Sequence, residues 1–256
     1  MPTDLDIRSA AHSIRGSQRL TVLTGAGVSK ESGVPTFRDA LDGLWARYDP
    51  TQLANANAFR RNPKLVWDFY QYRREIMKPA KPNPGHFALA ELERRFPHMQ
   101  IITQNVDDLH EQAGSNNVIR LHGRISANKC FDNCQGNPTP VDIETLEWNR
   151  DEDAPRCPHC GAYVRPDVVW FGEMLPTNQL QAAIDACEAT DVMLVIGTSG
   201  VVRPVADMPL YAKQRGATLI EINPVESELT PAADLWLAGP SGEILPRVLA
   251  ALDEHA

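Results

Sequence analysis

Short apolar runs recur along the chain and alternate with stretches of helical period. Leu20–Thr24, Met99–Thr103, Val118–Leu121, Val192–Ile196, Thr218–Ile222 and Leu235–Leu237 read as buried strands. Asp6–Arg15, His86–Phe96, Asn178–Ala189 and Pro204–Arg215 carry the spacing of helices. This order predicts an α/β fold on a parallel sheet covered on both faces. Ligands in such sheets collect beyond the carboxyl ends of the strands. Gly25-Ala26-Gly27, Gln104-Asn105, His122-Gly123, Gly197-Thr198-Ser199 and Asn223-Pro224 each directly follow a predicted strand. Their loops are therefore expected along one edge.

Two segments break the alternation. Residues 40–83 hold a helical stretch, Leu65–Lys78, between Pro63 and Pro79. Residues 126–162 hold four cysteines among Gly136, Pro138, Pro140 and Pro155. Both are expected in a smaller lobe. Residues 1–39, 84–125 and 163–256 then make a large lobe that is discontinuous in sequence.

A chain of 256 residues, 43% hydrophobic, suffices for one large core with a small appendage. The net charge is −8 and no long Lys/Arg run is present, which argues against a direct nucleic-acid partner. The polar start Met1-Pro2-Thr3-Asp4 has no apolar leader, and no apolar stretch reaches membrane-spanning length. A cytoplasmic protein without a membrane partner is the expectation.

The chemistry begins at Gly25-Ala26-Gly27. A glycine turn after a buried strand lets backbone N–H groups approach a pyrophosphate. The dehydrogenase pattern places a third glycine three residues on, but Lys30 stands there and the next glycine is Gly33. A dinucleotide site not built for ordinary hydride transfer is expected. The cysteines form two close pairs, Cys130 with Cys134 and Cys157 with Cys160, a spacing that suggests metal. His159 is an alternative ligand to one of the thiolates. Cys187 sits at helical spacing from Leu180 and Ile184 and reads as core.

Further motifs follow in order: Gly33-Val34-Pro35-Thr36-Phe37-Arg38-Asp39, Thr103-Gln104-Asn105-Val106-Asp107, Leu121-His122-Gly123 and Val169-Trp170-Phe171-Gly172-Glu173. With the glycine turn, the cysteine pairs and Gly197-Thr198-Ser199, they make the chain resemble the sirtuin family of NAD-dependent protein lysine deacylases, from Thr24 to Gly242. The resemblance implies a Rossmann-like NAD lobe and a small lobe of helical insertion and zinc ribbon. It implies acylated-lysine proteins or peptides as substrates. In that family the acyl oxygen attacks the nicotinamide ribose, nicotinamide leaves, and a histidine deprotonates a ribose hydroxyl. The products are free lysine, nicotinamide and O-acyl-ADP-ribose.

His122 matches the histidine base, and Asn105 and Asp107 match the nicotinamide pocket. Helix capping is the simpler role for Asn105 or Asp107. Gln104 matches a ribose contact, Phe37 the aromatic over the reacting ribose, and Arg38 a residue near the phosphates. Gly25, Ala26, Gly27, Gly197, Thr198 and Ser199 match diphosphate or ribose contacts. Asn223 matches an adenosine-ribose contact and Ser241 an adenine contact. Val169, Phe171, Gly172 and Glu173 match the segment that pairs with the substrate backbone. Cys130, Cys134, Cys157 and Cys160 match ligands of a structural Zn²⁺, although three residues separate the first pair where the family more often has two. The acidic residues around them, Asp142, Glu144, Glu147, Asp151, Glu152 and Asp153, argue against a nucleic-acid ribbon.

Val66, Tyr70, Arg73 and Met77 share one face of the inserted helix. An arginine in a mostly apolar stripe needs an anionic partner or water. A protein carboxylate such as Asp39 or Asp42 would serve. The subgroup of the family that removes succinyl and malonyl groups carries a Tyr-x-x-Arg that Tyr70 and Arg73 match. The expectation is removal of succinyl and malonyl groups, with acetyl as a second activity. A mono-ADP-ribosyltransferase and a non-catalytic NAD-binding module are the alternatives.

Overall fold

The computed structural model describes residues 1–36, 45, 46 and 48–254. They divide into two compact units, the first from Met1–Thr36, Ala80–Leu121 and Pro176–Ala256, the second from Phe37–Pro79 and His122–Leu175.

The first unit is built on β1 (Leu20–Thr24), β2 (Met99–Thr103), β3 (Val118–Arg120), β6 (Val192–Ile196), β7 (Thr218–Asn223) and β8 (Leu235–Ala238). They form one sheet in the order β3-β2-β1-β6-β7-β8, every pair parallel. Helices α1 (Asp4–Gly16), α6 (Pro84–Arg95) and α10 (Ser241–Asp253) share a core with alternate strand residues such as Leu20, Val22, Ile101 and Leu194. Thr21 points the other way and donates to the Ala186 carbonyl of α8 (Thr177–Ala189) at 3.3 Å. The sheet is thus covered on both faces, as β1 and β6, buried at every residue, require. Cys187 is fully buried there.

The predicted elements are present with shifted ends. α1 starts two residues early because Thr3 and Asp6 form a reciprocal cap. The predicted helix Pro204–Arg215 is a 3₁₀ turn at Val205–Asp207 followed by α9 (Met208–Gln214). Pro209 has no N–H to bond back into the earlier turn, so a fresh helix starts beside it. α10 was not anticipated. Its Ile244, Leu245, Val248, Ala251 and Leu252 do carry helical spacing, but Pro246 stands within it. Short helices α2 (Gly27–Lys30) and α7 (Leu109–Gln112) complete the unit.

The second unit contains α3 (Pro50–Leu53), α4 (Ala56–Arg61) and α5 (Pro63–Met77). α5 opens on its proline, with the Asn62 side chain capping Leu65 N–H. β4 (Gly123–Cys130) pairs antiparallel with β5 (Val164–Val168), with an irregularity between Arg124 and Asn128. Arg74 of α5 donates to the carbonyls of Ile125 (2.7 Å) and Ala127 (3.2 Å) and to Asn128 Oδ1 (2.7 Å) across that irregularity. Trp67, Val141, Ala154 and Val164 pack with Cys130 and Cys157 into a small core.

Candidate active site

On the first unit, the sheet order creates a switch point. The chain leaves β1 toward β2 and β3, then returns to β6 on the other side of β1. Crevices beyond such a point are where open α/β sheets bind nucleotides. Gly25, Ala26 and Gly27 follow β1 there, and Gly197, Thr198 and Ser199 follow β6. The two loops touch: Gly27 N–H donates to the Gly197 carbonyl at 2.8 Å. A Cβ on Gly25 would stand 2.7 Å from that oxygen, and one on Gly27 2.6 Å from Gly197 Cα. Gly197 has φ +61°, and its own Cβ would meet the Val28 nitrogen at 2.4 Å. The missing side chains thus let one loop close on the other. The Ala26 and Thr198 N–H groups donate to no described residue. They are free donors beside each other's loops, and suit a pyrophosphate.

Deeper in this unit, Ser29 joins two predicted residues. Its hydroxyl donates to Asp107 Oδ2 at 2.9 Å and accepts from Asn105 Nδ2 at 3.1 Å. Asp107 Oδ1 accepts from Leu109 N–H at 3.1 Å, so this carboxylate also caps α7. Burial pushes the Asp107 carboxyl up, against the pull of its bonds to Leu109 and Ser29. Arg120 braces the same segment through the Asp107 carbonyl (2.7 Å) and Glu111 (2.7 Å). Asp108 also accepts from Arg120, at 3.1 Å. Gln104 Nε2 reaches Thr198 Oγ1 at 3.0 Å, and Asn223 Nδ2 the Thr198 carbonyl at 2.9 Å. Ser241 is buried at the start of α10, where Glu31 accepts from its hydroxyl at 3.3 Å and from Gly242 N–H at 2.8 Å. Ser29 and Arg120 escaped the sequence reading because their partners lie far along the chain or have no motif of their own.

Two histidines support this floor. His110 Nε2 lies 3.0 Å from Thr24 Oγ1, which donates to Thr103 Oγ1 at 2.9 Å, and Thr103 Oγ1 accepts from Asn105 N–H at 3.0 Å. The His86 and His110 rings lie 5.0 Å apart, both fully buried. Burial holds His86 down at about 4 and His110 at about 3, the latter also by its histidine neighbour and Arg120. Between those values and the unfolded value near 6.5, the unfolded chain binds more protons, so stability falls as pH falls. Going from pH 7 to 5 should cost about 2 kcal/mol for each histidine. Urea unfolding at the two pH values checks this; an unchanged midpoint would show that neither imidazole is held neutral.

Phe37 and Arg38 lie outside the described residues, as do Asp39 and Asp42.

On the second unit, His122 is half-buried ahead of β4. Gly123 has φ +78° and a Cβ there would sit 2.1 Å from the Asp167 carbonyl, so only glycine fits after the histidine. The His122 carbonyl accepts from Val169 N–H at 2.9 Å, and the Ala54 carbonyl from Phe171 N–H at 3.0 Å. The segment Val169–Glu173 is a turn rather than a strand, with Gly172 at φ +84° and Glu173 N–H donating to the Trp170 carbonyl at 3.0 Å. Phe171 is exposed on it. The Glu173 carboxylate turns inward to Arg165, at 2.5 and 3.0 Å. On α5, Tyr70 and Arg73 are buried, 4% and 8% exposed, and Ala54 is 3% exposed. Burial pushes the Tyr70 phenol up to about 12, so it stays protonated, and pulls the Arg73 guanidinium down.

The four predicted cysteines converge. Their sulfurs lie within 4.8 Å of one another, with Cys130–Cys160 at 3.5 Å and Cys134–Cys157 at 3.8 Å. A tetrahedron with Zn–S bonds of about 2.3 Å has edges of about 3.8 Å, so the donor set fits Zn²⁺. His159 is not part of the cluster, so all four ligand places go to thiolates.

Comparison with known proteins agrees with this geometry. The description of the Sir2 family matches residues 25–204. An NAD-dependent protein deacylase of Pyrococcus abyssi is 50% identical over 243 residues, covering 95% of this chain and 96% of the relative. The crystal structure of a Sir2 homolog–NAD complex superposes with a TM-score of 0.87 at 47% identity, covering 96% of this chain and 94% of that one. A structure of Sir2Af2 bound to a myristoylated histone peptide gives a TM-score of 0.77 at 35% identity, over 99% and 98% of the two chains. Glycine loops closed at the switch point, the Ser29–Asp107–Asn105 cluster and the four-cysteine site are thus carried by a chain that belongs to the Sir2 family.

Proposed function

We propose that this protein removes acyl groups from protein lysines with NAD as co-substrate, and that acyl groups ending in a carboxylate are preferred. The activity itself accords with relatives named NAD-dependent protein deacylases and with a Sir2 homolog–NAD complex of the same fold. NAD would supply the electrophilic ribose carbon and nicotinamide as its leaving group. The Ala26 and Thr198 N–H groups would hold its diphosphate, with Gln104 and Asn223 at its riboses. Asn105 and Asp107, tied through Ser29, would hold the carboxamide: Asp accepts its N–H and Asn can donate or accept. The His122 imidazole would take a proton from a ribose hydroxyl, a role open to a neutral ring through its unprotonated nitrogen. Peptide would lie along Val169–Glu173, Phe171 offering exposed apolar surface.

The acyl preference rests on one observation: a phenol and a guanidinium, both buried, stand one turn apart on α5. A guanidinium carries five donors and keeps its charge, so it can serve a ligand carboxylate beside other acceptors. Arg74 next to it is spent on the carbonyls of β4. Arg73→Met should lower kcat/KM for a succinyl-lysine peptide about ten- to a hundredfold more than for its acetyl counterpart, mainly through KM. Steady-state kinetics on acetyl-, malonyl-, succinyl- and myristoyl-lysine peptides tests it. Equal losses on the acetyl and succinyl peptides would make Arg73 a support of the fold only.

A further inference from the structure

The Tyr70 hydroxyl has one hydrogen-bond partner among the described residues, Trp170 Nε1 at 2.9 Å. An indole nitrogen can only donate. The phenolic oxygen must therefore accept this bond, and the phenolic proton must point elsewhere. Trp170 itself is held from several sides. It is 2% exposed, and its ring centre lies 5.2 Å from that of Phe59. The Arg165 guanidinium carbon stands 3.2 Å over the indole. Arg165 is in turn fixed by the Val168 carbonyl at 2.6 Å and by Glu173, whose Oε2 also accepts from Trp170 N–H at 2.9 Å. Indole, guanidinium and carboxylate thus form one rigid block behind the phenol.

We propose that Trp170 is a positioning residue for acyl selectivity: it locks the polarity of the Tyr70 hydroxyl, so that its proton is presented to the terminal carboxylate of the acyl group. This rests on the acyl reading above. A hydroxyl free to rotate could turn a lone pair toward that carboxylate, and repel it. One already accepting from Trp170 offers its remaining strong site, the proton. The neutral acetyl group gains nothing from the lock.

Two replacements separate the N–H from the packing. Trp170→Phe removes both the donor and ring volume. Incorporating 3-benzothienylalanine at the same place keeps the bicyclic shape and removes only the N–H. With either, the succinyl-to-acetyl ratio of kcat/KM should fall about three- to tenfold, through KM for the succinyl peptide. In a Tyr70→Phe background the same replacement should produce no further change in the ratio. Equal losses on both peptides, or a selective loss that persists undiminished without the Tyr70 hydroxyl, would overturn the proposal. Arg73→Met run in parallel keeps the two readings apart. A selective effect there with none from the benzothienyl residue sinks only the role of Trp170. No selective effect from Arg73→Met sinks the acyl reading as well.

Discussion

Replacing His122 by alanine is expected to lower acyl-lysine turnover by about 10²–10⁴, the usual cost of losing a general base. The loss should fall on kcat, because the imidazole is not among the groups expected to hold either substrate. The fold should survive. His122 is half-buried, and its backbone carbonyl, which accepts from Val169 N–H, is untouched by the change. Gly123, which the left-handed turn requires, also remains. Turnover of an acyl-lysine peptide, NAD binding by calorimetry and circular dichroism of the variant make the test. Near-wild-type turnover would remove His122 from the mechanism.

Stripping zinc, or replacing Cys157 by serine, is expected to lower stability and activity together. Structural Zn²⁺ contributes about 10–16 kcal/mol in small zinc-binding peptides, as much as a whole domain's typical stability of about 5–15 kcal/mol. Little else would hold the ribbon. Its core has few buried residues, and Cys130 and Cys157 are two of them. Cys130 also lies opposite Val164 at one end of the β4–β5 ladder, so loss of metal loosens the two strands whose other end pairs Gly123 with Val168, just before Val169. Metal analysis should give about one zinc per chain, and melting curves with and without chelator should separate. A metal-free preparation with full stability and activity would refute a structural role.

The apolar runs by themselves determined the parallel sheet. Six short apolar strands of three to five residues leave little other choice, because their backbones must pair and both faces must be covered. The loops that follow them were equally legible, since strand ends in such a sheet share an edge. The four cysteines declared a metal site by spacing alone. Element ends were less legible where local chemistry was ambiguous. Pro209 split one predicted helix, and Pro246 masked the apolar face of α10. Only the tertiary structure decided what the polar residues do with one another. Ser29 meets Asp107 and Asn105 across more than seventy residues of chain. Glu173, placed by its motif at the peptide, is turned inward to Arg165. Gly25 and Gly27 proved to be required by the approach of Gly197. Trp170 reaches back to Tyr70 over a separation of 100 residues. The physical reason is that burial of apolar side chains is local in pattern and periodic along a strand or helix, and so leaves a trace in the sequence. A hydrogen bond depends on the position and direction of two atoms to within tenths of an ångström, and those are set only when the whole chain has packed.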